Sequence, residues 1–150
     1  MADYSASTIA KWFLAYNRKI MREEDAEYIS NLKLQKLLYY AQGVYSALTG
    51  DLLFDDNIVA WRHGPVVESV YHEYKHNGPE GINFSDNFDF SSVDQSARSI
   101  LETVYDYFGQ YSAWKLRDMT HEEKPWGETD LNEVIDTDLI RTYFLEEYVE

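Results

Sequence analysis

Cysteine is missing from this 150-residue chain, and long apolar runs, low-complexity tracts and basic residues are scarce. Without cysteine there is no disulfide, no thiolate metal site and no cysteine nucleophile. No stretch approaches the roughly 20 apolar residues that span a bilayer. The first residues, Met1 to Tyr4, lack the basic start and apolar run of a secretory signal. We therefore expect a cytoplasmic protein with no membrane partner.

The charge of the chain is strongly one-sided. It carries 13 Lys and Arg against 27 Asp and Glu, a net charge of −14. Such a surface repels phosphate backbones and anionic lipids, so we expect no nucleic-acid partner, whereas a basic protein would be attracted. Aromatic residues make up 16% of the chain. Tyr and Trp that the core does not need are typical anchors of protein interfaces.

Length and periodicity predict one mainly α-helical domain, residues 1–150. The apolar fraction of 45% is enough for a hydrophobic core, and the pattern indicates a single-domain helical bundle of about five to seven helices. The second helix, capped by Ser30 or Asn31 and ended at Gly50, should be the centre of the core. Lys33, Lys36 and Gln42 should lie mostly off its apolar stripe, which is made of Leu34, Leu37, Leu38, Ala41, Tyr45 and Leu48.

Several shorter features complete the predicted fold. β-Prone residues allow a short two-stranded β element near 58–62 and 82–84. Because proline suits the first helical turn, we expect a third helix to begin at Pro65. Residues 22–27 form a charged connection, and a last helix should start near Thr137 and lead into an acidic tail ending at Glu150.

One segment supports an enzyme hypothesis. His72-Glu73-Tyr74-Lys75-His76 has the H-E-x-x-H pattern, in which two His on one helical face bind zinc and the Glu activates water. Against this, the segment lies at a predicted helix end, one inner position is Lys75, and no spacing marks a third ligand. The simpler interpretation is two exposed His on the outer face of a helix. A zinc-dependent hydrolase is therefore the alternative function, and we expect no cofactor.

Two further motifs could carry chemistry. His121 precedes Glu122 and Glu123, whose carboxylates would stabilise an imidazolium suited to acid–base catalysis. No nucleophile is visibly placed beside it, so a structural role is favoured, with Trp126 packed into the core. Gly64 before a helix start could let backbone amides bind an anion, but the other residues of a phosphate loop are absent.

Three motifs in a fixed order resemble a known family. They are Lys33-Leu34-Gln35-Lys36-Leu37-Leu38-Tyr39-Tyr40-Ala41-Gln42-Gly43; Leu53-Phe54 followed by Ala60-Trp61-Arg62-His63-Gly64-Pro65-Val66 with Val70-Tyr71 and Tyr74; and Leu116 to Trp126, ending in Thr-His-x-Glu-x-Pro-Trp. In this order they resemble the Panacea domain family, the SocA-type antitoxins that include phage-associated GepA-like proteins. The resemblance runs from about Ile9 to the final helix, and His72 and His76 lie outside the residues that carry it.

The resemblance implies the antitoxin of a toxin–antitoxin pair, which neutralises a toxin protein by direct binding and is not an enzyme. The cognate toxin is expected from the adjacent gene, and a bacterial protease becomes a second partner where a member acts as a proteolytic adaptor. Some members carry an additional DNA-binding helix-turn-helix segment, for which we expect no room here.

Candidate partner-binding residues come from helix geometry and from the motifs. Tyr39, Tyr40 and Tyr45 cannot all face inward on one helix, so at least one should be exposed. The loop from Phe84 to Phe90 and the acidic C-terminus are further candidates. Lys36, Trp61, His63, His121 and Trp126 either form a shared surface or hold the fold. A third hypothesis is nucleic-acid mimicry, in which the net charge of −14 occupies a nuclease or regulator.

Overall fold

The computed structural model describes residues 2–23 and 27–149, and these form seven α-helices and one two-stranded antiparallel sheet. The helices are α1 (Ala6–Glu23), α2 (Asn31–Thr49), α3 (Glu68–Tyr74), α4 (Gln95–Phe108), α5 (Ala113–His121), α6 (Lys124–Gly127) and α7 (Thr137–Glu147). The strands are β1 (Val59–Trp61) and β2 (Gly64–Val66), and short 3-10 turns span Lys75–Asn77 and Phe90–Ser92. The predicted mainly α class is confirmed.

Helix α2 is the centre of the core, as predicted. The Ser30 hydroxyl accepts the Lys33 N–H at 3.2 Å, and Gly50 ends the helix with φ of 81°. Helices α1, α4, α5 and α7 and strand β2 all pack around α2, so it is buried on nearly every side. For that reason Lys36 and Gln42, which the sequence places mostly off the apolar stripe, are buried, whereas Leu48, placed on it, is 54% exposed at the open end of the helix.

The β element differs from the prediction in its second strand. β1 pairs with β2, with Ala60 opposite Pro65, and residues 82–84 form no strand. A third helix starting at Pro65 is therefore wrong, since α3 begins at Glu68. Pro65 has no N–H to donate, but its partner Ala60 needs none. The N–H of Ala60 donates to the Glu133 carbonyl, and the Ala60 carbonyl accepts from the Asn132 N–H, so proline is tolerated in β2.

Of the two segments predicted to display aromatic or acidic side chains, the phenylalanine loop is turned inward at Phe84 and the acidic C-terminal segment is exposed. Phe84 is buried, and the Arg18 guanidinium fixes its loop by donating to the carbonyls of Phe84 at 2.8 Å and Asp86 at 3.0 Å. At the C-terminal end, Glu146 and Glu147 are exposed. Residues 24–26 of the predicted charged connection at 22–27 lie outside the described residues, and so does Glu150. No helix in the described ranges combines the length and apolar character needed to cross a membrane.

Candidate functional site

A groove lies between the N-terminal end of α2, the β1–β2 hairpin, α3 and the start of α5. Its volume is about 870 Å³, within the range of roughly 300–1,000 Å³ that is typical of ligand sites. Most of its lining surface is apolar, and its walls carry the rings of Trp61, Tyr71 and Trp114. We call it the aromatic groove.

The rings of the aromatic groove form two edge-to-face pairs. Trp61 and Tyr71 have centroids 4.9 Å apart, and His63 and Trp114 have centroids 5.5 Å apart. Trp114 keeps 58% of its surface exposed. Because Trp and Tyr bring large contact areas with few rotatable bonds, a groove lined by them is suited to anchoring a partner.

Cations rather than carboxylates accompany these rings. Arg62 and Lys75 line the groove and form no ion pair with the described residues. The Arg117 guanidinium lies 5.3 Å from the Trp114 ring centroid, and its Nε donates to His63 Nδ1 at 3.3 Å. Of the described residues that line the groove, none is Asp or Glu. The described lining of the groove therefore carries cations and no carboxylates, on a protein whose net charge is −14.

Two buried amides tie the wall of the groove to α2. Asn31 donates to the Tyr71 carbonyl at 3.0 Å and accepts from Gln35 Nε2 at 2.9 Å. Gln35 Oε1 in turn accepts the Val67 N–H at 2.9 Å. Because both ends of each amide are hydrogen-bonded, the hairpin and α3 hold Trp61 and Tyr71 in a fixed arrangement.

Lys36 is a buried lysine that hydrogen-bonds to the backbone of β2. Its side chain is fully buried, and Nζ donates to the Pro65 carbonyl at 2.9 Å. No carboxylate of the described residues pairs with it, and burial, with Arg117 nearby, lowers the pKa of Lys36 to about 7. Gly64, with φ of 113°, comes so close that a Cβ there would lie 2.8 Å from Lys36 Cε.

The third motif contacts strand β1 of the hairpin. Trp126 donates from Nε1 to the Trp61 carbonyl at 2.8 Å, and His121 stacks on Trp126 with centroids 4.0 Å apart. The prediction of a stabilised imidazolium at His121 is wrong. Burial and the charge of Arg117 lower the pKa of His121. The Glu123 carboxylate does not face this ring but accepts hydrogen bonds from tyrosine hydroxyls.

Glu123 is buried and accepts three tyrosine hydroxyls. Tyr39 donates at 2.9 Å, Tyr40 at 3.0 Å and Tyr148 at 2.5 Å. Burial raises the pKa of Glu123, although the three hydrogen bonds oppose that rise. Burial also raises the pKa of Tyr39 and Tyr40. This cluster joins α2 to the start of α6 and the end of α7, inside the core.

The seven motif and helix residues predicted to bind a partner occupy three places. Lys36, Tyr39 and Tyr40 are fully buried, Trp61 and His63 line the aromatic groove, and His121 and Trp126 lie beneath the hairpin. Of the three tyrosines considered on α2, only Tyr45 retains exposed surface, because α2 is enclosed by its neighbours. Contact with a partner stays a prediction for all seven.

The H-E-x-x-H segment does not have the geometry of a zinc site. His72 and His76 are both exposed, and α3 ends before His76, which lies in a 3-10 turn. Because a 3-10 turn advances three residues per turn, the i, i+4 register that would align the two imidazoles is lost. Glu73 instead forms an ion pair with Lys11 at 3.7 Å. No group of three potential metal ligands occurs among the described residues, so these residues do not fit zinc.

Sequence reasoning missed Trp114 and Lys75 as groove residues. A signal was available for Trp114. Leu116 and Thr120 are the buried face of α5, and Trp114 lies two residues before Leu116, on the opposite side of the helix. A tryptophan opposite the apolar face of its own helix is a candidate for intermolecular contact. Lys75 had no comparable signal, because only the fold brings it beside the hairpin.

Comparison with known proteins matches the same motifs. The family model described as "Antitoxin SocA-like, Panacea domain" matches residues 34–127. The chain is 36% identical over 109 residues to Antitoxin SocA from Caulobacter vibrioides (strain NA1000 / CB15N), an alignment covering 65% of this chain and 58% of that protein. The chain thus spans little more than half the length of this curated relative. No solved structure matches it significantly.

Proposed function

The chain belongs to the SocA-like antitoxin family with a Panacea domain, and from this premise we propose that it is an antitoxin that neutralises a toxin protein by binding it directly. The observation that carries the proposal is the family match over residues 34–127. We propose further that the toxin is encoded by the adjacent gene and that the pair meets in the cytoplasm.

The geometry of the described residues supports binding rather than catalysis. The buried lysine and the buried carboxylate of the motifs, Lys36 and Glu123, each hold elements together through hydrogen bonds. Both are closed off from solvent, so neither is placed to meet a substrate. The aromatic groove, by contrast, offers exposed rings and cations on a wall fixed by internal hydrogen bonds.

Co-expression with the adjacent gene product tests the proposal. We expect that product to arrest growth when induced alone and growth to return when this chain is present. The two proteins should then co-purify as a stable complex. A product that is harmless alone, or toxicity that this chain leaves unchanged, would refute the antitoxin role.

The fate of the toxin separates neutralisation by binding from delivery to a protease. Under the proposed direct binding, the amount of toxin in cells stays constant when this chain is expressed, and the toxin is recovered in the complex. If the chain instead acts as a proteolytic adaptor, toxin levels fall with time after synthesis is stopped, and they recover when the responsible bacterial protease is deleted.

A further inference from the structure

We propose that the aromatic groove captures a short acidic segment of the partner protein, one in which an aromatic or large aliphatic side chain is flanked by Asp or Glu. The inference rests on the proposed function, because it assigns the place and the chemistry of the toxin contact. It also reverses the expectation drawn from the net charge, which predicts a basic partner.

Charge complementarity is the first argument. The chain has 27 acidic residues, yet none of the described groove-lining residues is acidic, while Arg62 and Lys75 line it unpaired. Arg117 is paired with Asp118 at 3.0 Å, but that carboxylate is largely exposed, and such surface pairs are weak. Cations left unpaired beside an apolar wall favour a ligand that brings its own carboxylates.

The rings supply the second argument. The groove lining contains two ring pairs, Trp61 with Tyr71, and His63 of the hairpin with Trp114 at the start of α5. An apolar side chain placed against these rings would be removed from water, which is the environment of interface hot spots. Backbone groups of the same segment could reach the polar side chains of Ser30 and Asn132, which also line the groove.

A nucleic acid is the competing occupant, because bases also stack on aromatic rings beside cations. The charge of the whole protein argues against it. A polyanion that extends beyond the groove meets a surface of net charge −14, and binding to strands requires many cations along the path. An acidic segment of a folded protein needs only the local cations of the groove, while the rest of its protein can be basic.

A random-peptide selection tests the chemistry of the groove without requiring the toxin. The full chain is immobilised and compared with Trp114→Ala and Arg62→Glu, both at side chains that face solvent. Matched controls are Tyr107→Ala, an exposed aromatic on α4, and Lys19→Glu, an exposed cation on α1. Circular dichroism verifies that all four variants are folded.

We expect the selection to enrich peptides that combine Asp or Glu with an aromatic or large aliphatic residue. Trp114→Ala and Arg62→Glu should each raise the Kd of the best peptide by about tenfold or more, and the two controls should leave it unchanged. Arg62→Glu should also shift the enriched peptides towards basic sequences. Enrichment of basic peptides by the unmodified chain, the absence of any enriched motif, or binding that survives Trp114→Ala would overturn the inference.

Two further arms separate this inference from the proposed function. Single-stranded oligothymidylate binding that is lost in Trp114→Ala and Arg62→Glu would replace the peptide by a nucleic acid and overturn the inference. In co-expression, loss of protection in the two groove variants with protection intact in the two controls supports it. Equal protection by all variants overturns the groove site and leaves the antitoxin role standing, whereas no protection by the unmodified chain refutes the antitoxin role alone.

Discussion

Replacing the buried Lys36 by methionine tests how α2 holds the hairpin. Methionine keeps the length of the aliphatic stem and removes both the charge and the hydrogen bond to the Pro65 carbonyl. Burial lowers the pKa of Lys36 from 10.5 to about 7 in the folded protein. Between these values the folded protein binds fewer protons than the unfolded chain, so the free energy of unfolding rises with pH.

The size of this effect follows from the shift. A pKa of about 7 in the folded state against 10.5 in the unfolded state makes Lys36 alone raise the free energy of unfolding by about 2–3 kcal/mol between pH 6 and pH 9. The methionine variant lacks this rise. At pH 6 the buried lysine is charged, and its desolvation lowers the stability of the folded protein most. The variant should then equal or exceed the original protein in free energy of unfolding, because removal of the buried charge offsets the roughly 1–3 kcal/mol lost by leaving the Pro65 carbonyl unsatisfied.

The assay is urea unfolding followed by tryptophan fluorescence at intervals from pH 6 to pH 9. The informative quantity is the difference in unfolding free energy between the original chain and Lys36→Met at each pH, since titrations common to both cancel. Lys19→Met, at an exposed position, serves as the control for the substitution itself. Parallel curves for the original chain and Lys36→Met would refute a buried lysine with a lowered pKa.

Three further predictions concern the packing of the core. Glu123→Ala leaves the hydroxyls of the buried tyrosine cluster without their acceptor. Urea unfolding should therefore show a free energy of unfolding lower by about 3–5 kcal/mol. Glu123→Gln, which keeps one carbonyl acceptor, should lose less stability. Gly43→Ala places a Cβ 2.5 Å from ring atoms of Phe144 and should lower the free energy of unfolding by about 1–3 kcal/mol, because α7 must shift. Gly127→Ala, where nothing lies within 4 Å of the added Cβ, is the control. An equal melting temperature for both alanine variants would contradict the packing argument. Gly64→Ala combines a φ of 113° with the close approach to Lys36 and should cost roughly 2 kcal/mol or more, which a melting temperature close to that of the unmodified chain would disprove.

Local signals in the sequence were enough to predict most of the helical framework. The Ser30 cap and the Gly50 terminus of α2 were both predicted, as was the start of α7 at Thr137. These features depend on the backbone geometry of a few adjacent residues, and capping side chains and left-handed glycines act within that range. The motifs that indicated the family could also be read directly, because they are linear patterns.

Local signals did not predict that polar side chains of α2 are buried, or which residues line the groove. Periodicity assigns one face of a helix to one core, so it placed Lys36 and Gln42 mostly off the apolar stripe, although both are buried. Burial on nearly every side of α2 comes from helices that are distant in the chain. A polar side chain is tolerated there because a particular carbonyl or carboxylate faces it.

The charge of the candidate site was likewise decided by tertiary structure alone. Net charge is a sum over the chain and carries no information on position, so −14 predicted a basic partner. Folding brings Arg62 of the hairpin, Lys75 after α3 and Arg117 of α5 beside one set of rings, and no carboxylate in residues 2–23 and 27–149 lines the groove. The amino-acid sequence by itself determined that an acidic, aromatic-rich helical protein forms. The packing of its helices and strands determined where the cations come together, because electrostatic recognition depends on distance in space and not on separation along the chain.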